Sequence, residues 1–291
     1  MNAFTIKDLE NLSGIKAHTI RIWEQRYQFL KPKRTETNIR YYSNDELKTV
    51  LNIALLNKYG FKISHIDKMR PEEMQDKILS LSQNQARQER VINTLIQEMV
   101  DLNMDKFEKL LDEQIHLKGI EKTITHLIFP FLEKIGILWL TNHINPAQEH
   151  LVSNIIRQKL MVGIESAFSQ VQKNKTVLLF LPEGEHHELG LLYTYYLMKS
   201  RGVKVLYLGA NVPVKDIEFV SNIKKPDYLY THLTSSHPFN FEKFLTHCQQ
   251  KLSAFPLIVS GQCAQQYKKR VPPSVSLKKS LFEVWEYVSS I

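Results

Sequence analysis

The stretch TVLLFLPEGEHHELG, residues 176–190, passes from an apolar run through a polar loop to a glycine. A short apolar run that ends in turn-forming residues is typical of a buried strand. Open α/β sheets bind their ligands beyond the carboxyl ends of the strands. Two histidines set between glutamates at this point therefore predict a ligand site. A polar loop that is merely rich in histidine is the alternative interpretation.

Similar apolar runs recur from residue 175 onward, and helical runs alternate with them. The strand-like runs read TVLLFLP, KVLYLG, YLYTHLT, PLIVSG and SVSL. Such alternation indicates successive βα units, because each helix returns the chain to the start of the next parallel strand. We predict a doubly wound parallel sheet of five strands from these runs.

The size and composition of the chain predict a multidomain protein without disulfides. Its 291 residues correspond to two or three domains of roughly 100–150 residues each. Cys248 and Cys263 are too few for a disulfide framework or a thiolate metal site. No apolar run approaches the ~20 residues that span a bilayer, and the first residues lack the apolar core of a signal peptide. We therefore expect a soluble, cytoplasmic protein without a membrane partner.

The positive charge is concentrated at the start of the chain. Residues 1–70 contain 13 Lys and Arg but only 7 Asp and Glu, so they carry most of the net charge of +8. A basic surface for a polyanionic partner is expected there. Residues 71–170 instead show long helical periodicity with few helix breakers.

The basic first part has the pattern of a winged helix-turn-helix. FTIKDLENLSG predicts one amphipathic helix and KAHTIRIWEQRY a second. The polar side of the second helix carries Thr19 and Arg21, which can reach base edges in a major groove. The segment KPKRTETNIRYY is typical of a β-wing that touches phosphates through Lys33, Arg34 and Arg40.

Other residues of this part are predicted to be structural. Trp23, Tyr27 and Leu30 have helical spacing, and large apolar side chains so spaced usually face a core. Asn38 stands where a wing turn often uses glycine, and asparagine tolerates a positive φ better than most residues. A lone arginine in this part could equally be an ordinary solvated charge.

The segments TIRIWEQRY, KPKR, IRYY and SNDEL, in this order, resemble the MerR family of transcription regulators. Trp-Glu-Gln-Arg-Tyr at 23–27 resembles the cobalamin-linked branch of that family. The resemblance implies a DNA-binding domain over residues 1–72 and adds Tyr41 to the DNA-binding residues. It further implies a homo-oligomer, a dimer or a tetramer, on double-stranded operator DNA with an inverted repeat.

The loop after the first strand contains Glu185, His187 and Gly190 in the pattern E-x-H-x-x-G, which resembles the D-x-H-x-x-G loop of cobalamin-binding domains. The resemblance implies that His187 ligates cobalt while Glu185 accepts a hydrogen bond from its other ring nitrogen. Gly190 would let the backbone approach the nucleotide tail. A zinc site lacks a third remote ligand and HExxH spacing, and a hydrolase lacks a nucleophile in this loop.

The middle part contains Trp139 and, after nine further residues, Glu149-His150. This W-x9-E-H pattern resembles the helical cap of adenosylcobalamin photoreceptors of the CarH type. It implies a four-helix bundle over residues 73–172, with these three side chains near the upper face of the corrin. Taken alone, the tryptophan would be a core residue and the Glu-His pair a solvated helix start.

Several residues depart from the cobalamin pattern. Gly261-Gln262 stands where the family has Gly-Gly for the nucleotide tail, so a side chain at 262 could narrow that groove. Thr231 or Ser235 replaces the serine of the third strand. Leu140 follows Trp139 where photoreceptors often have a histidine able to take the upper cobalt position, and His143 lies about one helical turn from Trp139.

Together the motifs predict a transcription regulator with no enzymatic turnover. Its fold class is α plus α/β, with a flavodoxin-like (Rossmann-like) cobalamin domain over residues 173–291. Adenosylcobalamin is the expected cofactor, with methylcobalamin as the alternative form, and its state would change assembly and operator affinity, with light as a further signal. Two alternatives stay open, a regulator that has lost cobalamin and responds to another ligand or protein, and a corrinoid-dependent methyl carrier or enzyme.

Overall fold

The computed structural model describes residues 3–140, 144–234 and 239–291, with only the backbone at 137, 139 and 140. Contacts divide the chain into two compact units, Met1–Ile155 and Ile156–Ile291. Each unit is described by itself. The three-domain division predicted from the sequence, with boundaries after residues 72 and 172, stays a prediction.

The first unit begins with a helix-turn-helix and a wing. Helix α1, Ile6–Ser13, starts with a capping box between Thr5 and Asp8 and is followed by α2, Ala17–Arg26. Strands β1, Lys33–Arg34, and β2, Arg40–Tyr41, pair antiparallel to form the wing. Asn38 has a φ of 64° in the turn between them, so the left-handed conformation expected for this residue is present.

The rest of the first unit is helical. Its elements are α3 (Asn44–Lys58), α4 (Ile63–Ile66), α5 (Pro71–Ser80), α6 (Asn84–Val100), α7 (Met104–Lys118), α8 (Ile120–Thr123), a π-helical turn (Ile124–Ile128), α9 (Phe129–Leu140) and the start of α10 (Pro146–Ser166). The π-helical turn joins α8 to α9 without a break, and the sequence pattern did not predict it. Helix α3 contacts α6, so the helix-turn-helix segment shares its packing with the following helices.

Helix α9 is also attached to the helix-turn-helix. Lys134 donates a hydrogen bond of 2.9 Å to the backbone carbonyl of Leu12, in the last turn of α1. Burial lowers the pKa of Lys134, since charging an amine that has lost water is unfavourable. Gln148, at the start of α10, donates to the carbonyls of Met99 and Val100 at the end of α6. These bonds satisfy carbonyls at two helix ends, where intrahelical partners are missing.

The second unit contains the predicted parallel sheet. Its strands are β3 (Thr176–Pro182), β4 (Lys204–Val212), β5 (Tyr228–His232), β6 (Leu257–Ser260) and β7 (Val275–Lys278). The order is β4-β3-β5-β6-β7, and every pairing is parallel. The predicted strands and their doubly wound arrangement are confirmed. Because β3 lies beside β4 on one side and β5 on the other, the direction of winding reverses next to its carboxyl end.

Helices follow the strands of the second unit. They are α11 (Leu189–Ser200), α12 (Val214–Lys224), α13 (Phe241–Lys251), α14 (Gln262–Gln266) and α15 (Leu281–Ser290). The apolar side chains of β3 are fully buried, as expected for a strand covered on both faces. A core of Leu178, Phe180, Leu229 and Phe244 forms on one face. Within the described residues, no helix combines the length and apolar character that a membrane span requires.

Candidate functional site

The loop after β3 is held in place by the end of β4. Glu183 donates its backbone N–H to the carbonyl of Val212 at 3.1 Å. Gly184, with a φ of 87°, donates to the side-chain oxygen of Asn211 at 2.9 Å, and Asn211 donates its N–H to the carbonyl of Glu185. The polar loop therefore has a defined conformation before it reaches the histidines.

Glu185 is a fully buried carboxylate with several donors around it. One oxygen accepts the backbone N–H groups of His186 and His187 at 2.9 and 3.0 Å. The other accepts the N–H of Thr234 at 3.1 Å. Charge-assisted bonds of this kind offset the loss of water around a buried carboxylate. They also fix the orientation of the group, which connects the β3 loop to the segment after β5.

His187 projects from this anchored loop toward solvent. Its Nδ1 lies 2.6 Å from Oε1 of Glu185, and its side chain is 55% exposed. A carboxylate only accepts, so Nδ1 carries the proton and the lone pair of the neutral ring lies on Nε2. This pairing of histidine with carboxylate is the arrangement that raises the basicity of a metal-binding imidazole.

Glu188 is engaged differently from Glu185. It accepts hydrogen bonds from the hydroxyl of Tyr207 at 2.7 Å and from Nε of Arg157 at 3.2 Å. Burial, together with this carboxylate, raises the pKa of the Tyr207 hydroxyl. Among the residues that the structure describes, no group of three or more His, Cys, Asp or Glu side chains is arranged to hold a metal ion.

The space beside Gly190 is occupied by another part of the chain. A β-carbon added at Gly190 would lie 2.3 Å from both Cδ2 and Nε2 of His232. Real β-carbons essentially never approach a heavy atom within 3.0 Å. The imidazole of His232, at the end of β5, therefore packs directly on the first turn of α11.

A chain of hydrogen bonds holds His232 in that position. Its Nδ1 lies 2.8 Å from Oγ of Ser260, which is 2.6 Å from the hydroxyl of Tyr230. Thr194 in turn donates to the Tyr230 hydroxyl at 3.2 Å. Burial lowers the pKa of His232 to about 4, and the charge of Glu185 opposes this shift only in part. At neutral pH the ring is uncharged.

The second glycine assigned to the nucleotide tail shows the same kind of approach. A β-carbon at Gly261, whose φ is 92°, would lie 2.4 Å from the carbonyl oxygen of Leu233. Gln262 is exposed at the start of α14. Thr231 is fully buried, and its hydroxyl oxygen has no hydrogen-bond partner within the described residues. The alternative to Thr231, Ser235, lies outside the described residues.

The residues assigned to the cap belong to the first unit. Trp139 lies in α9, but its side chain and those of Leu140 and His143 are outside what the structure describes. Glu149 and His150 occupy the first turn of α10, where Nδ1 of the histidine lies 3.2 Å from the carboxylate. Ser153 also donates a hydrogen bond from its hydroxyl to Glu149. Their assignment to a cofactor stays a prediction.

The exposed face of α2 presents the predicted base-contacting residues. Arg21 is exposed and Thr19 is partly exposed, while Trp23 and Leu30 are buried as expected. Tyr27 is partly buried and stacks on the neighbouring phenylalanine. Lys33 and Arg34 are exposed on the outer strand of the wing, and Arg34 donates to Oδ1 of Asn38 at 2.8 Å.

Glu24 joins the wing to α2 and was not singled out from the sequence. Its carboxylate accepts hydrogen bonds from Nε of Arg40 at 3.0 Å and from the buried hydroxyl of Tyr42. Burial and this carboxylate raise the pKa of Tyr42. Arg40 is therefore partly engaged by Glu24, and this contact fixes the wing against α2. Tyr41 pairs with Lys33 in the wing and is partly exposed.

Comparisons with known proteins extend these observations. Residues 4–73 match the MerR HTH family of regulatory proteins, and residues 91–162 match the B12 binding domain family. The HTH-type transcriptional repressor CarA of Myxococcus xanthus is 28% identical over 270 residues, covering 91% of this chain and 89% of its own. The repressor CarH of the same organism is 28% identical over 273 residues, covering 91% of each chain.

A solved structure shares the fold. The monomethylamine corrinoid protein of Methanosarcina barkeri covers 69% of this chain and 99% of its own, with a TM-score of 0.52 at 11% identity. At this identity the likeness concerns the fold alone. By its sequence, the chain joins a MerR-type helix-turn-helix segment to a segment of the B12-binding type and is similar to the CarA and CarH transcriptional repressors over 91% of its length.

Proposed function

We propose that this protein is a DNA-binding transcription regulator that senses cobalamin. The observation that carries the cofactor part is the pair formed by Glu185 and His187 at the carboxyl end of β3, 2.6 Å apart. The pair lies where the order of the parallel sheet reverses, the usual ligand position in open α/β sheets. The DNA-binding part rests on α2 and the wing.

The loop residues fit the role of holding cobalt from below. Because Nδ1 of His187 faces Glu185, a neutral ring would have its lone pair on Nε2, and Glu185 is held by backbone donors. The buried hydroxyl of Thr231, which has no hydrogen-bond partner among the described residues, is a further polar group that suits a hydrogen-bonding ligand. When bound, cobalamin supplies a cobalt centre open to an imidazole ligand and, in its alkyl forms, a light-sensitive cobalt–carbon bond. The residues for the nucleotide tail fit less well, because His232 and Leu233 fill the space beside the two glycines.

On the DNA side, the proposal assigns Arg21 and Thr19 to the major groove and Lys33 and Arg34 to phosphates. A helix of this kind reads base edges while a wing adds sequence-independent contacts to the backbone. The excess of basic over acidic residues in the first 70 positions supports this assignment. Arg40 and Tyr41 act from β2, where Arg40 also holds the wing through Glu24.

The finer parts of the proposal concern assembly and signal. We infer that the chain binds an inverted-repeat operator as a homo-oligomer in the cytoplasm and that the state of adenosylcobalamin changes this assembly. The roles of Trp139, Glu149 and His150 belong to this level. The resemblance to repressors supports regulation rather than turnover.

Two measurements on the full chain test the proposal. Protein loaded with adenosylcobalamin in the dark is gel-filtered, and its visible spectrum is compared with those of His187→Ala and the neighbouring control His186→Ala. We expect retained corrinoid with a histidine-ligated spectrum in wild type and control, and its loss in His187→Ala. Glu185→Gln should weaken binding by ~10–100-fold. Equal spectra for wild type and His187→Ala would refute ligation.

DNA binding is tested separately by selecting duplexes from a random-sequence library with the full chain. Selected duplexes should share an inverted repeat, and Arg21→Ala should weaken their binding. Failure to enrich any sequence, at low salt and with either dark or illuminated protein, contradicts the regulatory part. Size-exclusion chromatography before and after illumination measures the change in assembly.

A further inference from the structure

At Gly190 and Gly261, the space that a side chain would take is filled by the protein itself. The ring of His232 occupies the space beside Gly190, and the carbonyl of Leu233 occupies the space beside Gly261. These neighbours are consecutive residues at the end of β5. One short segment therefore closes the space beside the start of α11 and the space beside the start of α14.

This closure matters for any corrinoid that His187 ligates. Cobalamin carries a nucleotide with its own base, which must leave cobalt when a protein imidazole takes that position. The displaced nucleotide is long and needs space below the loop. Gly190 lies three residues after His187, in the first turn of α11, so the nearest such space lies beside it. His232 stands in that space.

The closure is built into the fold by specific contacts. Nδ1 of His232 is bonded to Ser260, on the neighbouring strand β6, and Ser260 is bonded to Tyr230. Thr234, two residues after His232, donates to Glu185 at 3.1 Å. The ring is therefore held from β6 while the following backbone is held from the candidate loop. Moving the ring breaks at least the bond to Ser260.

We propose that His232 sets corrinoid preference by narrowing the groove for the nucleotide tail, so that the domain holds a corrinoid chiefly by its ring and binds a tailed corrinoid more weakly than it would without this imidazole. This inference rests on the proposed cobalamin function. It predicts that corrinoids without a nucleotide bind to the wild-type protein, and that removal of the His232 imidazole makes room for the nucleotide tail. The new space beside Gly190 would then add contacts that only a tailed corrinoid can make.

The test uses the full chain and two probes, hydroxocobalamin and aquacobinamide, which lacks the nucleotide. Equilibrium dialysis gives the two dissociation constants for wild type, His232→Ala and His232→Ser. His247→Ala, an exposed histidine on α13 of the same unit, is the matched control. The decisive quantity is the ratio of the two constants, because cobinamide ligates histidine more readily in any protein and the ratio in wild type includes that preference.

We expect His232→Ala and His232→Ser to shift this ratio toward cobalamin by at least ~10-fold, about 1.4 kcal/mol. Cobinamide affinity should change little, and His247→Ala should behave as wild type. A ratio within ~3-fold of wild type in both variants, with folding verified by circular dichroism, would overturn the role of His232. Loss of cobalamin binding in His232→Ala and His232→Ser would also overturn it.

The outcome separates this inference from the function on which it rests. If none of these proteins retains either probe, the cobalamin function itself fails. If wild type retains both probes and the preference for cobinamide falls in His232→Ala and His232→Ser, the function and the inference both hold. A cobalamin-bound wild type whose preference does not respond to position 232 leaves the function intact and contradicts the closed groove.

Discussion

A double-mutant cycle between Gly190 and His232 tests the packing on which the closed groove depends. In Gly190→Ala the added carbon would start 2.3 Å from the imidazole, whereas ordinary contacts are 3.4–4 Å. The ring must therefore retreat by more than an ångström. Overpacking of this size costs about 1–3 kcal/mol, and loss of the bond to Ser260 adds about 1 kcal/mol.

The helical position of residue 190 acts in the opposite direction. Alanine is favoured over glycine in a helix by up to ~1 kcal/mol, and Gly190 lies in α11 with a φ that any residue can adopt. The net expectation for Gly190→Ala is a destabilisation of about 1–3 kcal/mol. In the His232→Ala background the clash is gone, so the same substitution becomes neutral or stabilises by up to ~1 kcal/mol.

Hydrogen–deuterium exchange in increasing urea measures the effect on the full chain. Peptides from β3 and β5 report the free energy of opening of the second unit without requiring the whole chain to unfold in one step. We expect a coupling energy of about 1–4 kcal/mol between the two positions, which is the difference between these two estimates. If Gly190→Ala has the same effect in both backgrounds within ~0.5 kcal/mol, the imidazole does not fill this space.

Three further predictions follow from other parts of the molecule. Lys33→Ala and Arg34→Ala should each reduce the salt dependence of DNA binding, because a lost phosphate contact lowers the slope of log K against log salt by about 0.9. A phosphate contact is excluded at either position if the slope equals that of Lys109→Ala on α7. The free energy of unfolding contributed by His232 should be complete above pH 6.5 and lost as the pH falls toward 4, because the unfolded chain protonates first. Relative to His232→Gln, the loss should reach up to about 3 kcal/mol in urea titrations, and parallel pH profiles for the two proteins would contradict a neutral buried ring. Asn38→Gly should leave the wing intact while Asn38→Ala destabilises it by about 1–2 kcal/mol, measured as increased hydrogen exchange in β1 and β2.

The strands of the second unit could be predicted because local composition determines them. Each apolar run became a strand of the sheet, and the helix after the loop begins at Leu189, the first apolar residue after the polar stretch. The wing turn was equally readable, since few residues other than asparagine tolerate the positive φ found at position 38. These features depend on neighbours in sequence, which periodicity and turn chemistry describe directly.

The contact between Gly190 and His232 could not be predicted in the same way. These residues are far apart in sequence and meet because β3 and β5 are adjacent, which is known only once the strand order is known. His232 lies in the run THLTSS, from which only the hydroxyl residues Thr231 and Ser235 were predicted to act. Alternation along a strand places Thr231 and His232 on opposite faces. The run therefore indicates that a polar side chain also lies on the second face of this strand.

The tie between Glu24, Arg40 and Tyr42 escaped prediction for a similar reason. Nothing in TIRIWEQRY indicates that its glutamate turns toward the wing rather than toward solvent. Its partners lie on β2 and on the residue after it, and their approach depends on how the wing folds back. Sequence patterns indicated these basic residues as a group, but they did not separate Arg40, which is paired with Glu24, from Lys33, which is exposed.

The hydrogen bond from Lys134 to Leu12 and the packing of α1 on α9 link α9 directly to the helix-turn-helix. Helix α9 also carries Trp139 near its end, so a rotation of this helix reaches α1 directly, without passing through a flexible connection. Small helix shifts of ~1–2 Å are a common means of transmitting a signal between sites. The strength of such transmission would depend on the packing between α1 and α9 and not on the length of chain between them. In the proposed regulator, a variant with a weaker contact at Lys134 would still bind the corrinoid and DNA, but binding of one would change the affinity for the other less.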